Sequence, residues 1–455
     1  LLDKKKAAFV FLAFAVTYAV SALVRAIIAT LSPVLSQEFS LQSRDLGLLA
    51  GGYFLGFAAT QLPLGTWLDR HGPKRVILCF LAVAVLGCLV FSVATSFTWL
   101  LLGRVLIGMG VSACLMAPLT GFRRWLDAPS LLRANSWMLM SGSLGMLAST
   151  LPVQWLVPLV GWRALFWVLA AGVLVAMTVI AVVVPAWTIA PKRVASRTAL
   201  HPAGLPLPEA SLVSPVQTRS GGFESAGVSQ EGADSYRGGA SKDSHAPDVD
   251  GGYAEVWKNR YFQKMSPLAF FNYGGLLAVQ TLWAGPWMVN VSGYTPLQAA
   301  TGLFYINAAM LLTYWSWGLV NPRLAKAGWH TDRLIAWGVP VSLGALAVNI
   351  AGGAATGWLG WAVFCMASSV ISLSQPAVGM AFKSELAGRA LSGFNLIIFT
   401  GVFTVQWGIG LLVDAFAALG FARIASFQAA FSVFLCCCLA AHAYFMYAKV
   451  DNSRS

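Results

Sequence analysis

The sequence predicts an all-α membrane protein of twelve transmembrane helices in two six-helix repeats. Composition is the first sign. The 455 residues are 58% hydrophobic and only 10% charged, against roughly 25% charged in a soluble domain. So few charges cannot cover a water-facing surface of this size. The second sign is continuity: the apolar runs are unbroken over the roughly 20 residues that a crossing helix needs. Strands of a β-barrel would alternate in short segments. The third sign is repetition. Arg133 and Gly145 recur as Arg389 and Gly401, both 256 positions later, and Gly65 recurs as Gly318 at an offset of 253.

Read in order, span one covers Ala7 to Leu35, span two Leu46 to Leu68, span three Val76 to Thr95 and span four Trp99 to Phe122. Ser136 to Val157 and Leu165 to Val184 give spans five and six. These form a first bundle within residues 1–190. Span one follows Lys4, Lys5 and Lys6 as a signal peptide would, but it is too long for one and lacks a small-residue cleavage site. Residues 191–256 change character, with 9 Gly, 9 Ser and 6 Pro, and 6 basic against 8 acidic residues. Apolar side chains are too few there to bury a core, so a flexible linker is expected, with a regulatory docking segment as the alternative. The second bundle, 257–455, holds Leu268 to Val291 (seven), Ala299 to Val320 (eight), Leu334 to Ala351 (nine), Trp358 to Ala381 (ten), Leu391 to Val413 (eleven) and Ile424 to Tyr447 (twelve).

Sorting the 30 basic residues by loop sets the orientation. Twenty-five fall on the side of the N- and C-termini, three (Arg44, Arg163, Arg423) on the other, and Arg25 and Arg104 lie within spans. The positive-inside rule then places both termini in the cytoplasm. It also explains the net charge of +13 without nucleic acid: the charge marks orientation and contact with anionic lipid. The seven cysteines lie in apolar stretches with no zinc-like spacing and read as small apolar filler.

Between spans two and three runs Gly65-Thr66-Trp67-Leu68-Asp69-Arg70-His71-Gly72-Pro73-Lys74-Arg75. It resembles the signature loop of the major facilitator superfamily: a glycine, then Asp-Arg-x-Gly, then basic residues, with Pro73 where a basic residue is more usual. A degenerate copy follows span eight at Gly318, Arg323 and Gly328, and Arg104-x-x-x-Gly108-x-Gly110 in span four is similar to the family's second motif. The resemblance covers the chain apart from the linker. It implies a gate built from Gly65, Asp69, Arg70, Gly72, Lys74, Arg75 and Asp127. In the family the motif's acid lies by the start of span eleven, where a helix N-terminus favours an anion. The last basic residue pairs with the acid ending span four, here Arg75 with Asp127. A solvated basic loop is the plainer reading of the same residues.

The family's central cavity is lined by spans one, four, seven and ten. Tyr18, Ser21 and Arg25 share one face of span one. A charge at membrane depth costs at least about 2.5 kcal/mol, so Arg25 is a functional candidate; snorkelling to the outer interface is the alternative. Span seven offers Tyr273, Gln280 and Trp283, span ten Ser372 and Gln375, and span four Arg104. For these, helix packing competes with cavity lining. An arginine among aromatic and amide groups suits a carboxylate.

None of the 17 acids lies deep in a span. The stretch from Arg25 to Pro33 is similar to span one of the organic anion:cation symporters, where an Asp commonly precedes the arginine; here Val24 does. The resemblance therefore implies anion binding without the usual proton carrier. The expected function is a secondary or facilitative transporter of a small solute, an organic anion, in the inner membrane by alternating access. A co-transported or exchanged ion is left open. Alternatives are an exporter of a hydrophobic or siderophore-like compound, and a transporter-like sensor signalling through the linker. No metal site, cofactor, enzymatic constellation or nucleic acid is expected, and a monomer in lipid bilayer is.

Overall fold

The computed structural model describes residues 3–126, 128–185 and 249–448. Among these every regular element is a helix. Nine helices are long and apolar enough to cross a membrane. The other three expected spans, two, five and seven, are present in shorter pieces. Span one is the helix Lys4–Phe39, ended at Ser40 by a left-handed residue (φ 51°). Span two is Ser43–Ala59, continued by the start of Gln61–Ser92. Gly72 (φ 75°) breaks that second helix and opens span three, as a tight turn at the signature glycine requires. Its counterpart Gly328 has φ 78°, again 256 positions later. Span four is Phe97–Val111 and Ala113–Trp125, and spans five and six are Ala128–Ala148 and Leu151–Val183, the last broken at Gly161 (φ 78°). Spans eight, nine, eleven and twelve are Pro296–Lys326, Thr331–Gly352, Ser384–Ala418 and Arg423–Tyr447.

Two spans depart from the expected continuous helix. Span seven alternates: π-helix Leu268–Tyr273, α-helix Gly274–Ala278, π-helix Val279–Trp283, α-helix Ala284–Asn290. Each π turn inserts an extra residue, so the seven-residue step that put Tyr273, Gln280 and Trp287 on one face does not survive. Span ten contains a 3-10 segment, Ser369–Leu373, between Gly357–Ser368 and Ser374–Met380. Its serines supply the cause. Ser369, Ser372 and Ser374 each donate to the carbonyl three residues back, at 2.6, 2.7 and 2.6 Å, which favours the tighter winding. A third departure concerns the linker. Residues 249–256, expected within it, belong to the helix Val249–Lys258, whose Val256 is fully buried beside Gly393 of span eleven.

The repeat seen in the sequence is a packing repeat. A side chain at Gly145 would collide with the Ala19 carbonyl of span one, and one at Gly401 with the Phe270 carbonyl of span seven. The same glycine lets span five approach one and span eleven approach seven. Gly401→Val is therefore expected to lower the melting temperature of the detergent-solubilised protein markedly. Gly408→Val, on the same helix with nothing within 4 Å, is expected to leave it nearly unchanged.

Spans two and eleven join the halves on the face away from the termini. Gly47 lies against the Gln406 carbonyl, Gly51 against Phe403 and Gly410 against the Ser43 carbonyl. Below these, Phe54 and Phe57 stack on Phe399 at 6.1 and 4.4 Å. Asp414, at the end of span eleven, accepts the backbone N–H groups of Ser43 (3.2 Å) and Arg44 (2.8 Å), the first turn of span two. Nearer the termini, Gly65 meets no atom within 4 Å. The close glycine contacts of this seam thus lie at the face away from the termini.

Candidate functional site

Arg25 is the organising residue. Its backbone is held by a second arginine: Arg104 of span four donates from Nη1 to the Val24 carbonyl at 2.8 Å and from Nη2 to the Arg25 carbonyl at 3.4 Å. Arg104 is fully buried and lies 5.0 Å above the Tyr53 ring. Its place in span four depends on Gly108 and Gly110 of the same motif, where a side chain would strike the backbone of Tyr53 and of Ala84. Arg104 braces span one from behind, and its charge is spread over carbonyl oxygens and an aromatic face.

The Arg25 guanidinium is the opposite case. The residue is half-buried, and no ion pair reaches it among the described residues. Its Nε is enclosed without a partner. Around it stand phenols. Tyr18 of span one and Tyr53 of span two lie beside the guanidinium. The Tyr53 hydroxyl is buried and out of hydrogen-bonding alignment. Tyr273 of span seven faces both Arg25 and Tyr18. Tyr314 of span eight faces Tyr273 and Tyr18 from the second half. Among the described residues the ion pairs, Arg44–Asp45, Arg163–Glu38 and Lys264–Asp332, all lie at helix ends.

Other expected lining residues are distributed differently. Ser21 is buried and its hydroxyl has no partner, but it turns into a small cavity inside the first bundle, with Leu81, Cys88, Ile107 and Val173. Gln280 donates to Asn307 of span eight at 3.0 Å. Trp283 is fully buried, donating to the Gln406 carbonyl at 3.0 Å and packing edge-on against Phe427. Both residues belong to the second π segment of span seven, Val279–Trp283. Ser372 is spent on the Ser369 carbonyl, and Gln375 donates to Asn395 of span eleven at 2.6 Å. Tyr18 and Tyr273 are the expected residues that the structure brings to Arg25. Tyr53 and Tyr314 were missed. The available signal was a phenol in the middle of an apolar span, where its hydroxyl demands a polar neighbour.

In the signature loop, Arg70 and Arg75 are exposed and Lys74 is half-buried. At Gly65 a side chain would meet open space. Asp127 and the Asp69 side chain lie outside the described residues, as does the linker from 191 to 248. No cluster of His, Cys, Asp or Glu suited to a metal occurs among the described residues.

This architecture, two bundles with matching glycine contacts, meets its counterpart in known proteins. Residues 14–404 match the family profile of the Major Facilitator Superfamily. The chain belongs to the major facilitator superfamily. It is a multi-pass membrane protein of a transporter family, not an enzyme. Solved superfamily structures share the fold. A bacterial homologue of the human lysosomal transporter Spinster, inward-facing and unoccupied, superposes with a TM-score of 0.72 at 16% identity, covering 98% of each chain. A D-xylose–proton symporter gives 0.69 at 13% identity, again over 98% of each. Curated superfamily relatives match only in part. The mouse facilitated glucose transporter member 10 is 37% identical over 83 residues, 18% of this chain and 16% of that protein. The multidrug resistance protein MdtL of Escherichia coli is 29% identical over 154 residues (32% and 37%). The probable sulfoacetate transporter SauU of Cupriavidus necator is 26% identical over 155 residues (34% and 36%). The matches thus span well under half the length of these relatives.

Proposed function

We propose that the protein is a transporter that carries a small organic anion across the inner membrane by alternating access, with both termini in the cytoplasm. The observation that carries this reading is the Arg25 guanidinium within span one, which has the Tyr18 and Tyr53 phenols beside it and no ion pair among the described residues. A buried cation without a counter-charge is expensive unless something neutralises it. A carboxylate or sulfonate can take two parallel N–H donors from one guanidinium. The seam between spans two and eleven, tied at one face by Asp414 and close glycine contacts, supports a gate that works by rocking of the bundles. The partial likeness to a probable sulfoacetate transporter points the same way. The likeness to a multidrug resistance protein keeps one other reading, export of a hydrophobic compound.

A thermal-shift screen of the purified protein separates the two, since a bound ligand raises stability by mass action. Carboxylates and sulfonates are expected to raise the melting temperature of the wild type and to lose that effect in Arg25→Ala. Stabilisation by hydrophobic cations alone, unchanged in Arg25→Ala, would remove the anion reading in favour of export.

A further inference from the structure

We propose that a small cavity inside the second bundle binds a sodium ion, held by oxygens of spans seven, nine and ten. This site is separate from Arg25 and does not rest on the anion reading. The cavity measures about 10 Å³, room for one water-sized species. Asn272 of span seven, Ser342 of span nine and Ser368 of span ten line it, and all three are buried. Two irregular windings meet here. Asn272 belongs to the first π segment of span seven, and Ser368 directly precedes the 3-10 segment of span ten. In transporters, interrupted helices are where oxygens are turned toward a sodium ion.

The donors of this lining are spent and its lone pairs are not. Asn272 donates from Nδ2 to the Cys438 carbonyl at 3.4 Å, and its Oδ1 accepts nothing among the described residues. The Ser342 hydroxyl gives its proton to the Val339 carbonyl at 2.8 Å. Ser368 Oγ makes no hydrogen bond among the described residues. Only Ser368 therefore has a proton left to give a water, whereas a cation needs lone pairs alone. The lining carries no carboxylate, which a divalent ion would require. A shell of neutral oxygen dipoles suits a monovalent cation, as carbonyls do in ion filters. The small volume favours sodium over the larger potassium.

The repeat supplies a control. Gly145 lies against the Ala19 carbonyl and Gly401 against the Phe270 carbonyl, so Ser21 and Asn272, each two residues further on, are counterparts. Val111 and Ser368 are counterparts too, each the last residue of its helical segment before a serine. Ser21 and Val111 line a matching cavity of about 10 Å³ in the first bundle. There the Thr17 hydroxyl is spent on the Ala13 carbonyl, and apart from Ser21 the remaining lining is apolar. The same crossing thus packs without an oxygen shell in one bundle and carries one in the other.

Thermal unfolding of the purified full-length protein in NaCl, KCl and choline chloride, at fixed ionic strength, tests this. NaCl is expected to raise the melting temperature with concentration, KCl much less and choline chloride not at all. Ser368→Val copies the counterpart in the first bundle. It and Ser342→Ala are each expected to need about tenfold more sodium for the same rise. Ser21→Ala, in the other cavity, should respond as wild type does. Arg25→Ala should keep the sodium response while losing the carboxylate one, so the two readings fail separately. Equal melting temperatures in NaCl and choline chloride would overturn the proposal and leave the cavity to a water. A sodium response unchanged in both folded variants would overturn it by placing the ion elsewhere. A larger response to KCl would overturn the choice of sodium.

Discussion

Arg25→Ala is expected to abolish anion uptake into proteoliposomes, with a loss of at least about 100-fold in kcat/KM, while the protein still folds. The magnitude follows from two charge-assisted hydrogen bonds at about 1.5–3 kcal/mol each, at about 1.4 kcal/mol per factor of ten. Folding is expected to survive because the side chain makes no ion pair among the described residues and its Nε has no partner. Removing an unpaired buried charge relieves a cost, so the melting temperature without ligand should hold or rise. Arg25→Lys keeps the charge but loses the planar fork, and should retain a small part of the activity. Arg104→Ala makes the contrast. It removes the donors held by the Val24 and Arg25 carbonyls, so stability and transport should fall together. Thermal unfolding measured beside uptake separates the binding arginine from its brace.

Asp414→Ala is expected to release the closed seam. The carboxylate accepts both N–H groups at the start of span two, where unsatisfied donors and the helix dipole concentrate positive potential. It is anchored in span eleven, so this single side chain ties one bundle to the other. Its loss should shift the resting population toward the state open at the far face. Spin labels or thiol-reactive probes near Leu41 and Leu419, two loop positions at that face, would read this as longer distances or faster labelling. The expected change is several-fold, with uptake reduced because the closed state becomes harder to reach. Asp414→Asn retains an acceptor oxygen but loses the charge, and should fall between. Unchanged labelling in Asp414→Ala would mean that the glycine-lined packing of Gly47, Gly51 and Gly410 closes the seam unaided.

Much of the fold was legible before any coordinates because its signals are local. Apolar length marks the spans, basic residues mark the loops, and Gly145 and Gly401 mark matching crossings 256 residues apart. What escaped depended on contacts between spans or on winding. The π turns of span seven have no composition signature of their own, and they carry Trp283 and Gln280 off the expected face. The 3-10 segment of span ten follows from serine hydroxyls bonding backward, visible in the sequence only as Ser368-Ser369, Ser372 and Ser374. The site divides the same way. Arg25 stood out because a charge in a span is rare, and Tyr18 followed from its spacing. Tyr53 and Tyr314 come from other spans and reach Arg25 only through packing. For Arg104, charge alone did not choose between cavity lining and helix packing, and its bonds to the Val24 and Arg25 carbonyls come from another span.

The most direct test of the account is the environment of the Arg25 Nε–H itself. In protein labelled with 15N-arginine, the Nε resonance of Arg25 is identified by its absence in Arg25→Lys, and that of Arg104 serves as the internal reference. Titration with benzoate is expected to move the Arg25 resonance downfield in the proton dimension and to leave that of Arg104 in place. An Arg25 resonance that stays fixed while benzoate saturates the protein would contradict the account.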